Sequence, residues 1–149
     1  MRIRSRTDFI VIHCSATDDD IDIGVAEIRR WHVERGFADI GYHFVIRRDG
    51  RIEKGRDIGV TGAHVEGWNS RSVGVCMVGG VEADDMNRAR DNFTEAQWAS
   101  LLILVKTLME KYPTAKVLGH RDFPKVAKAC PSFDVRGWLT RVGLLVPAT

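Results

Sequence analysis

The chain has little of what would mark it as secreted, membrane-bound or nucleic-acid-binding. Only three of its 149 residues are cysteine, Cys14, Cys76 and Cys130. An odd, widely spaced set with no CxxC pair is not a disulfide framework, and it points to synthesis in a reducing cytosol. Long apolar runs are missing too: "FIVI" at 9–12 and "LLILV" at 101–105 fall far short of a signal-peptide core or a membrane span. A protein made this way meets a target outside the cytosol only if something else lets it out. Neither sign of charge dominates. A net charge of +2 argues against nucleic acid as the main partner, although Arg2, Arg4 and Arg6 form a basic N-terminal arm over residues 1–7. The chain shows no internal repeats and no sign of a second domain.

What is present is an ordinary globular composition, 44% hydrophobic and 28% charged. A single domain of this size buries roughly 70% of the surface its unfolded chain exposes, so its core needs no staples. "DFIVIHCS" at 8–15 reads as a buried strand with His13 at its C-terminal end. "GVAEIRRWHVERG" follows as a helix stopped by Gly36, and "YHFVIRRDGRIEKG" as two strands joined at Asp49-Gly50 through a type I′ turn. Residues 55–72 carry four glycines and no sustained period, which predicts a long exposed loop leading into the strand "VGVCMVG" at 73–79. The polar stretch at 82–92 reads as solvated.

Thr94 and Gln97 form a capping box. The helix they open has an apolar face of Trp98, Leu101, Leu102, Val105, Leu108, Met109 and Tyr112, and Pro113 ends it. "KVLGHR" is a short strand delivering His120, and Asp134 caps a last helix that Gly143 terminates. The order β-α-β-β-β-α-β-α implies an α/β fold, one domain with a central mixed sheet flanked by helices.

"KACPSF" at 128–133 poses the chemical question, because Cys130 could be a structural thiol, half of a disulfide, a nucleophile or a metal ligand. Of the five histidines, His13 and His120 stand out: each ends a predicted strand, where the backbone is rigid and a side chain can face a cleft. Cys130 follows His120 by ten residues on a loop pinned by Pro131. Two histidines and a cysteine suit tetrahedral zinc with a fourth position open to water. Cys14 should face away from His13, and both it and Cys76 read as buried inert thiols. His32, among charged residues, is expected to face solvent. Tyr42 and His43 alternate, one toward the core and the other toward a surface or cleft; the pattern does not say which.

Taken together, "FIVIHCSAT", "IRRWHVERGF", "GYHFVIRRDGRIEKGR", "NSRSVGVCMVGG", "NFTEAQWASL" and "KACPSFDV" resemble the zinc-dependent N-acetylmuramoyl-L-alanine amidases of the type 2 family, over roughly residues 8–140. That family shares its fold with the peptidoglycan recognition proteins, and the likeness is strongest to the short phage lysozymes of podoviruses. The resemblance implies one Zn2+ held by His13, His120 and Cys130, with Tyr42 and Lys128 at catalytic positions. Some relatives use a glutamate as general base where this chain has Tyr42; Glu34, Glu53 and Glu66 are the candidates for that task, and spacing selects none of them.

The loop with His64, Trp68 and Asn69 is expected to line the substrate groove, the competing view being a tryptophan packed under its own loop. Arg47, Arg48 and Arg71 could pair with stem-peptide carboxylates or simply solvate a face. The implied activity is cleavage of peptidoglycan between N-acetylmuramic acid and L-alanine by a monomeric phage or prophage endolysin, cytoplasmic when made and active after the membrane is breached. A single catalytic domain over 1–149, core about 8–142, would act without a separate cell-wall-binding domain. A peptidoglycan-binding module without catalysis is the alternative; inactive recognition proteins of this fold commonly lack the cysteine ligand, which this chain keeps as Cys130. The resemblance also raises contact with a phage RNA polymerase, for which the basic arm and the Trp31 helix are candidate surfaces.

Overall fold

The computed structural model describes residues 2–145, so Met1 of the basic arm and residues 146–149 of the expected domain lie outside the described residues. Five strands, β1 (Phe9–Cys14), β2 (Phe44–Ile46), β3 (Ile52–Lys54), β4 (Ser72–Met77) and β5 (Lys116–Gly119), form one sheet in the order β3-β2-β4-β1-β5. β1 runs parallel to β4 and β5, and β2 runs parallel to β4, while the β2–β3 hairpin is antiparallel. The sheet is mixed, as the element order implies.

Three helices, α1 (Val25–Glu34), α2 (Glu95–Lys111) and α3 (Val135–Arg141), cover it. Central strands buried on both faces are continuous β-branched runs, and β1 and β4 are of that kind. Ile10 and Ile12 meet Leu101 and Val105 of α2 and Trp138 and Leu139 of α3. Val11 points the other way, to Val65 and Phe123, while Val25 and Ile28 of α1 pack with Val45 and Cys76. The period-two alternation of a strand then puts His13 on the Val11 face and Cys14 on the opposite one.

Local chemistry explains most boundaries, and several differ from the sequence reading. Thr94 Oγ1 accepts the Gln97 N–H (3.1 Å) and Gln97 Oε1 accepts the Thr94 N–H (3.0 Å), the reciprocal cap that starts α2. On that helix Leu104 joins the buried face, whereas Trp98, Leu102, Met109 and Tyr112 are only partly buried. The β2–β3 connection is not a type I′ turn: Gly50 has a φ of 91°, Asp49 has no positive φ, and the Gly50 N–H closes the turn on the Arg47 carbonyl (2.9 Å). One left-handed glycine after a tight turn makes the longer hairpin loop with a bulge. Asp134 occupies the position before α3 but its side chain makes no capping bond.

The segment 55–72 is not an exposed loop. Arg56, Gly62, His64 and Val65 are buried, and the Arg56 guanidinium donates to the carbonyls of Ile40 (2.9 Å), Thr61 (2.9 Å) and Asp39 (3.1 Å). Buried carbonyls need donors, and this one arginine supplies Thr61 of its own segment and Asp39 and Ile40 of the loop beside it. Nor is the basic arm a free tail: the Arg4 N–H donates to Gly59 O (2.8 Å) and its guanidinium to Ile58 O (2.7 Å). Among the described residues no helix is long and apolar enough to cross a membrane.

Candidate active site

Parallel pairing aligns the carboxyl ends of β1 and β5. Ile12 is in register with Gly119, so the residues that follow, His13 and His120, stand side by side with ring centroids 4.6 Å apart. After the 3-10 turn His120–Asp122 the chain loops back, and the Arg121 N–H donates to the Cys130 carbonyl (2.9 Å), which ties the cysteine to that turn. One donor atom from each of His13, His120 and Cys130 lies within 4.8 Å of the others, and Cys130 Sγ is 3.8 Å from His13 Nδ1. A tetrahedral ion bonded at about 2.0–2.1 Å to nitrogen and about 2.3 Å to sulfur would hold those two atoms about 3.6 Å apart, so the donors fit one with little adjustment. The Cys14 N–H donates to Cys130 Sγ (3.3 Å), a contact that favours the thiolate form.

The electrostatics suit the same use. Burial, and then the nearby His64 and His120 rings, hold His13 well below the usual histidine range; burial and then the Lys128 ammonium lower His120. Both rings are therefore neutral at pH 7, each with a lone pair free to donate. The Cys130 thiol is pushed up by its contact with Cys14 and by burial, so a cation must displace its proton. The Tyr42 ring lies 5.0 Å from the His13 ring, and burial raises its hydroxyl well above the ordinary phenol range, leaving it a protonated donor. Tyr42 is the cleft-facing member of its pair; His43 is buried, and both precede β2.

A groove of about 1080 Å³ opens over these groups, with Lys128 on its rim. Its walls include Trp31, Arg35, Phe37 and Lys125. Of the three glutamates weighed as bases, Glu66 borders the groove, whereas Glu53 accepts the Val25 N–H at the start of α1 (2.9 Å). His32 is not a solvent-facing residue. It is buried, and its Nδ1 accepts the Gly41 N–H (2.9 Å). Val25, Ile28 and His32 share one helical stripe, a spacing that outweighs the charged neighbours in sequence.

His64, Trp68 and Asn69 border the groove, yet each has a partner inside the protein. Asn69 Oδ1 accepts the N–H groups of His64 (2.8 Å) and Val65 (2.9 Å), and the Trp68 ring meets Phe9 edge-on at 5.5 Å. His64 Nδ1 is 2.8 Å from His13 Nε2. Arg47, Arg48 and Arg71 are also committed internally, Arg47 to Glu53 (3.6 Å), Arg48 to Asn92 O (2.8 Å) and Arg71 to Asp8 (2.7 Å). Arg35 and Lys125, which the sequence reading passed over, border the groove instead. Arg35 lies one helical turn beyond Trp31, a spacing that could have signalled it.

Solved structures share this architecture. N-acetylmuramoyl-L-alanine amidase LysC from Clostridium intestinale URNW superposes with a TM-score of 0.77 at 28% identity, covering 93% of this chain and 87% of that one. Drosophila PGRP-LB does so with a TM-score of 0.76 at 23% identity, covering 100% of this chain and 88% of that one. Fold and site thus define a protein of the amidase and peptidoglycan-recognition class. Residues 4–133 match the family described as N-acetylmuramoyl-L-alanine amidase, and an endolysin of Klebsiella phage KP32 is 50% identical over 135 residues, 91% of this chain and 87% of that protein. The chain belongs to the N-acetylmuramoyl-L-alanine amidase family, and it is an enzyme that hydrolyses the amide between N-acetylmuramic acid and L-alanine in peptidoglycan.

Proposed function

We propose that hydrolysis uses one zinc ion held by His13, His120 and Cys130, with Tyr42 and Lys128 acting on the substrate. The observation that supports this most directly is the convergence of two neutral imidazoles and a thiol beneath the groove. When bound, zinc supplies Lewis acidity toward the scissile carbonyl and acidifies water. The groove holds the sugar and stem peptide so that the amide lies over the three ligands. Lys128, two residues before Cys130, places fixed positive charge where the carbonyl oxygen becomes negative. Tyr42 keeps its proton and donates a hydrogen bond to the same developing charge. Trp31 and Phe37 offer apolar faces to the sugar or peptide, and Arg35 and Lys125 offer cations to its carboxylates.

The biological setting we propose is lysis of a bacterial host, in line with the endolysin named above. The enzyme accumulates in the cytosol as a monomer and meets peptidoglycan once the membrane is breached, its groove supplying substrate affinity. Zinc content and release of L-alanine amino termini from purified peptidoglycan, before and after chelation and zinc add-back, test the reading together. One zinc per chain with chelator-sensitive release is expected. Zinc without release would favour a recognition module, and release that survives complete metal removal would overturn the metal mechanism.

A further inference from the structure

Behind His13 runs a chain of hydrogen bonds that the hydrolytic machinery does not use. His13 Nε2 is 2.8 Å from His64 Nδ1, His64 Nε2 is 3.2 Å from Ser72 Oγ, and Ser72 Oγ is 2.9 Å from the Trp68 carbonyl oxygen. The last atom decides the direction of every bond before it. A carbonyl can only accept, so the single Ser72 hydroxyl proton goes to Trp68. Ser72 must then accept from an Nε2–H on His64, which leaves His64 Nδ1 a bare lone pair. That lone pair accepts from His13 Nε2–H, and His13 is left with an unprotonated Nδ1, the atom 3.8 Å from Cys130 Sγ. Reversing the chain would turn the Ser72 proton to His64 Nε2 and leave a lone pair of Ser72 Oγ facing the Trp68 carbonyl oxygen 2.9 Å away, with no proton between them.

The arrangement is built into the sheet. His64 is buried and its ring lies against the backbone of Gly74 in β4, where a Cβ would come within 2.7 Å of the ring. No other residue leaves that room. Asn69 clamps the His64 and Val65 N–H groups, and Ser72 opens β4, so both links of the chain stand on fixed backbone.

We infer that His64 is a positioning residue: with Ser72 and the Trp68 carbonyl it holds His13 in the Nε2–H tautomer, with Nδ1 turned to the metal. This rests on the zinc reading above. His64 therefore acts through His13 and not on the substrate, a role distinct from the groove-lining one suggested by its loop. Partners of this kind orient a ligand and raise its basicity, and losing one typically costs about 10–100-fold in metal affinity.

Two measurements test it. In the metal-free and zinc-loaded chain, ring 15N spectra should show the proton on Nε2 of both His13 and His64; a His13 protonated on Nδ1 overturns the inference. Zinc dissociation constants, by competition with a chromophoric chelator, should weaken about 10–100-fold in His64→Phe, which keeps the bulk and loses the acceptor. Affinity should recover in His64→Asn, whose amide oxygen can take the place of Nδ1. Ser72→Ala should weaken binding as well, and it serves if His64→Phe does not fold. Stoichiometric zinc in the wild type, lost in Cys130→Ser but unchanged in His64→Phe or Ser72→Ala, would defeat this inference alone. A wild-type chain that binds no zinc, or a Cys130→Ser chain that binds it equally well, would defeat the zinc reading on which it rests.

Discussion

Cys130 Sγ stands 3.8 Å from His13 Nδ1 although 117 residues separate the two in sequence. One comes from the carboxyl end of a central strand and the other from a loop tied to the 3-10 turn that begins with His120. Both anchors are fixed by backbone hydrogen bonds, so the fold itself holds the two side chains together.

Cys130→Ser should leave the fold intact and remove the metal, because a hydroxyl is a poor substitute for a soft thiolate toward zinc. The expected outcome is sub-stoichiometric zinc by atomic absorption, an unchanged far-UV spectrum and no release of L-alanine amino termini.

Lys128→Ala should separate binding of the metal from chemistry. The side chain is exposed and lies outside the His13, His120 and Cys130 group proposed to hold zinc, so zinc content should stay at one per chain. Loss of a group that stabilises the oxyanion costs about a hundredfold or more in kcat. Steady-state rates on a soluble muropeptide, with KM little changed, would confirm it; an equal loss in Lys128→Ala zinc affinity would point to a structural role.

Stability should fall with acid through His43. Its Nε2–H donates to Val60 O (2.7 Å) and its Nδ1 accepts the Gly74 N–H (2.9 Å), so the folded ring has no room for a second proton. Burial depresses its pKa from 6.5 to about 4. The unfolded chain takes up a proton near 6.5 that the native chain refuses until about 4, so this contribution is full above pH 6.5 and lost as pH falls toward 4. The whole swing is roughly 3 kcal/mol at 1.36 kcal/mol per pKa unit. Urea unfolding at pH 7, 5.5 and 4 should show the decline, and His43→Gln should show less of it.

Gln97 joins a helix cap to the sheet. Fully buried, it accepts the Thr94 N–H and donates its amide hydrogens to Ile46 O (3.1 Å) and Val78 O (2.9 Å). Gln97→Leu keeps the volume but strands those buried groups, at a cost of about 1–3 kcal/mol for each group left unpaired. Thr94→Ala, which removes one side of the cap, should cost only about 1 kcal/mol. Denaturant midpoints of the two variants should rank in that order.

The strands, the helices and their order were legible in the chain because each has a local signature: β-branched runs, the Thr94–Gln97 box, the residues Gly36 and Gly143 that end α1 and α3. His13, His120 and Cys130 were singled out in the chain because a strand end or a pinned loop limits where a side chain can point, and the fold does group the three. Charge density misled at His32, because sequence neighbours are not spatial neighbours, and the stripe of Val25, Ile28 and His32 outweighed them.

What no local signature could decide was where the segment 55–72 would lie and which polar groups it would meet. Glycine-rich and aperiodic, it read as exposed; tertiary packing pressed it onto β4, tied its Arg56 to the Ile40 and Asp39 carbonyls and set His64 against Gly74 and His13. Arg47, Arg48 and Arg71 were drawn inward in the same way, leaving Arg35 and Lys125 at the groove. Sequence alone determined the elements, which follow short-range backbone rules, and marked His13, His120 and Cys130 as candidates; it is the pairing of β1 with β5 that brings them together. The partners of buried polar groups depend on which distant segments come together, and only the folded chain brings them within hydrogen-bonding distance.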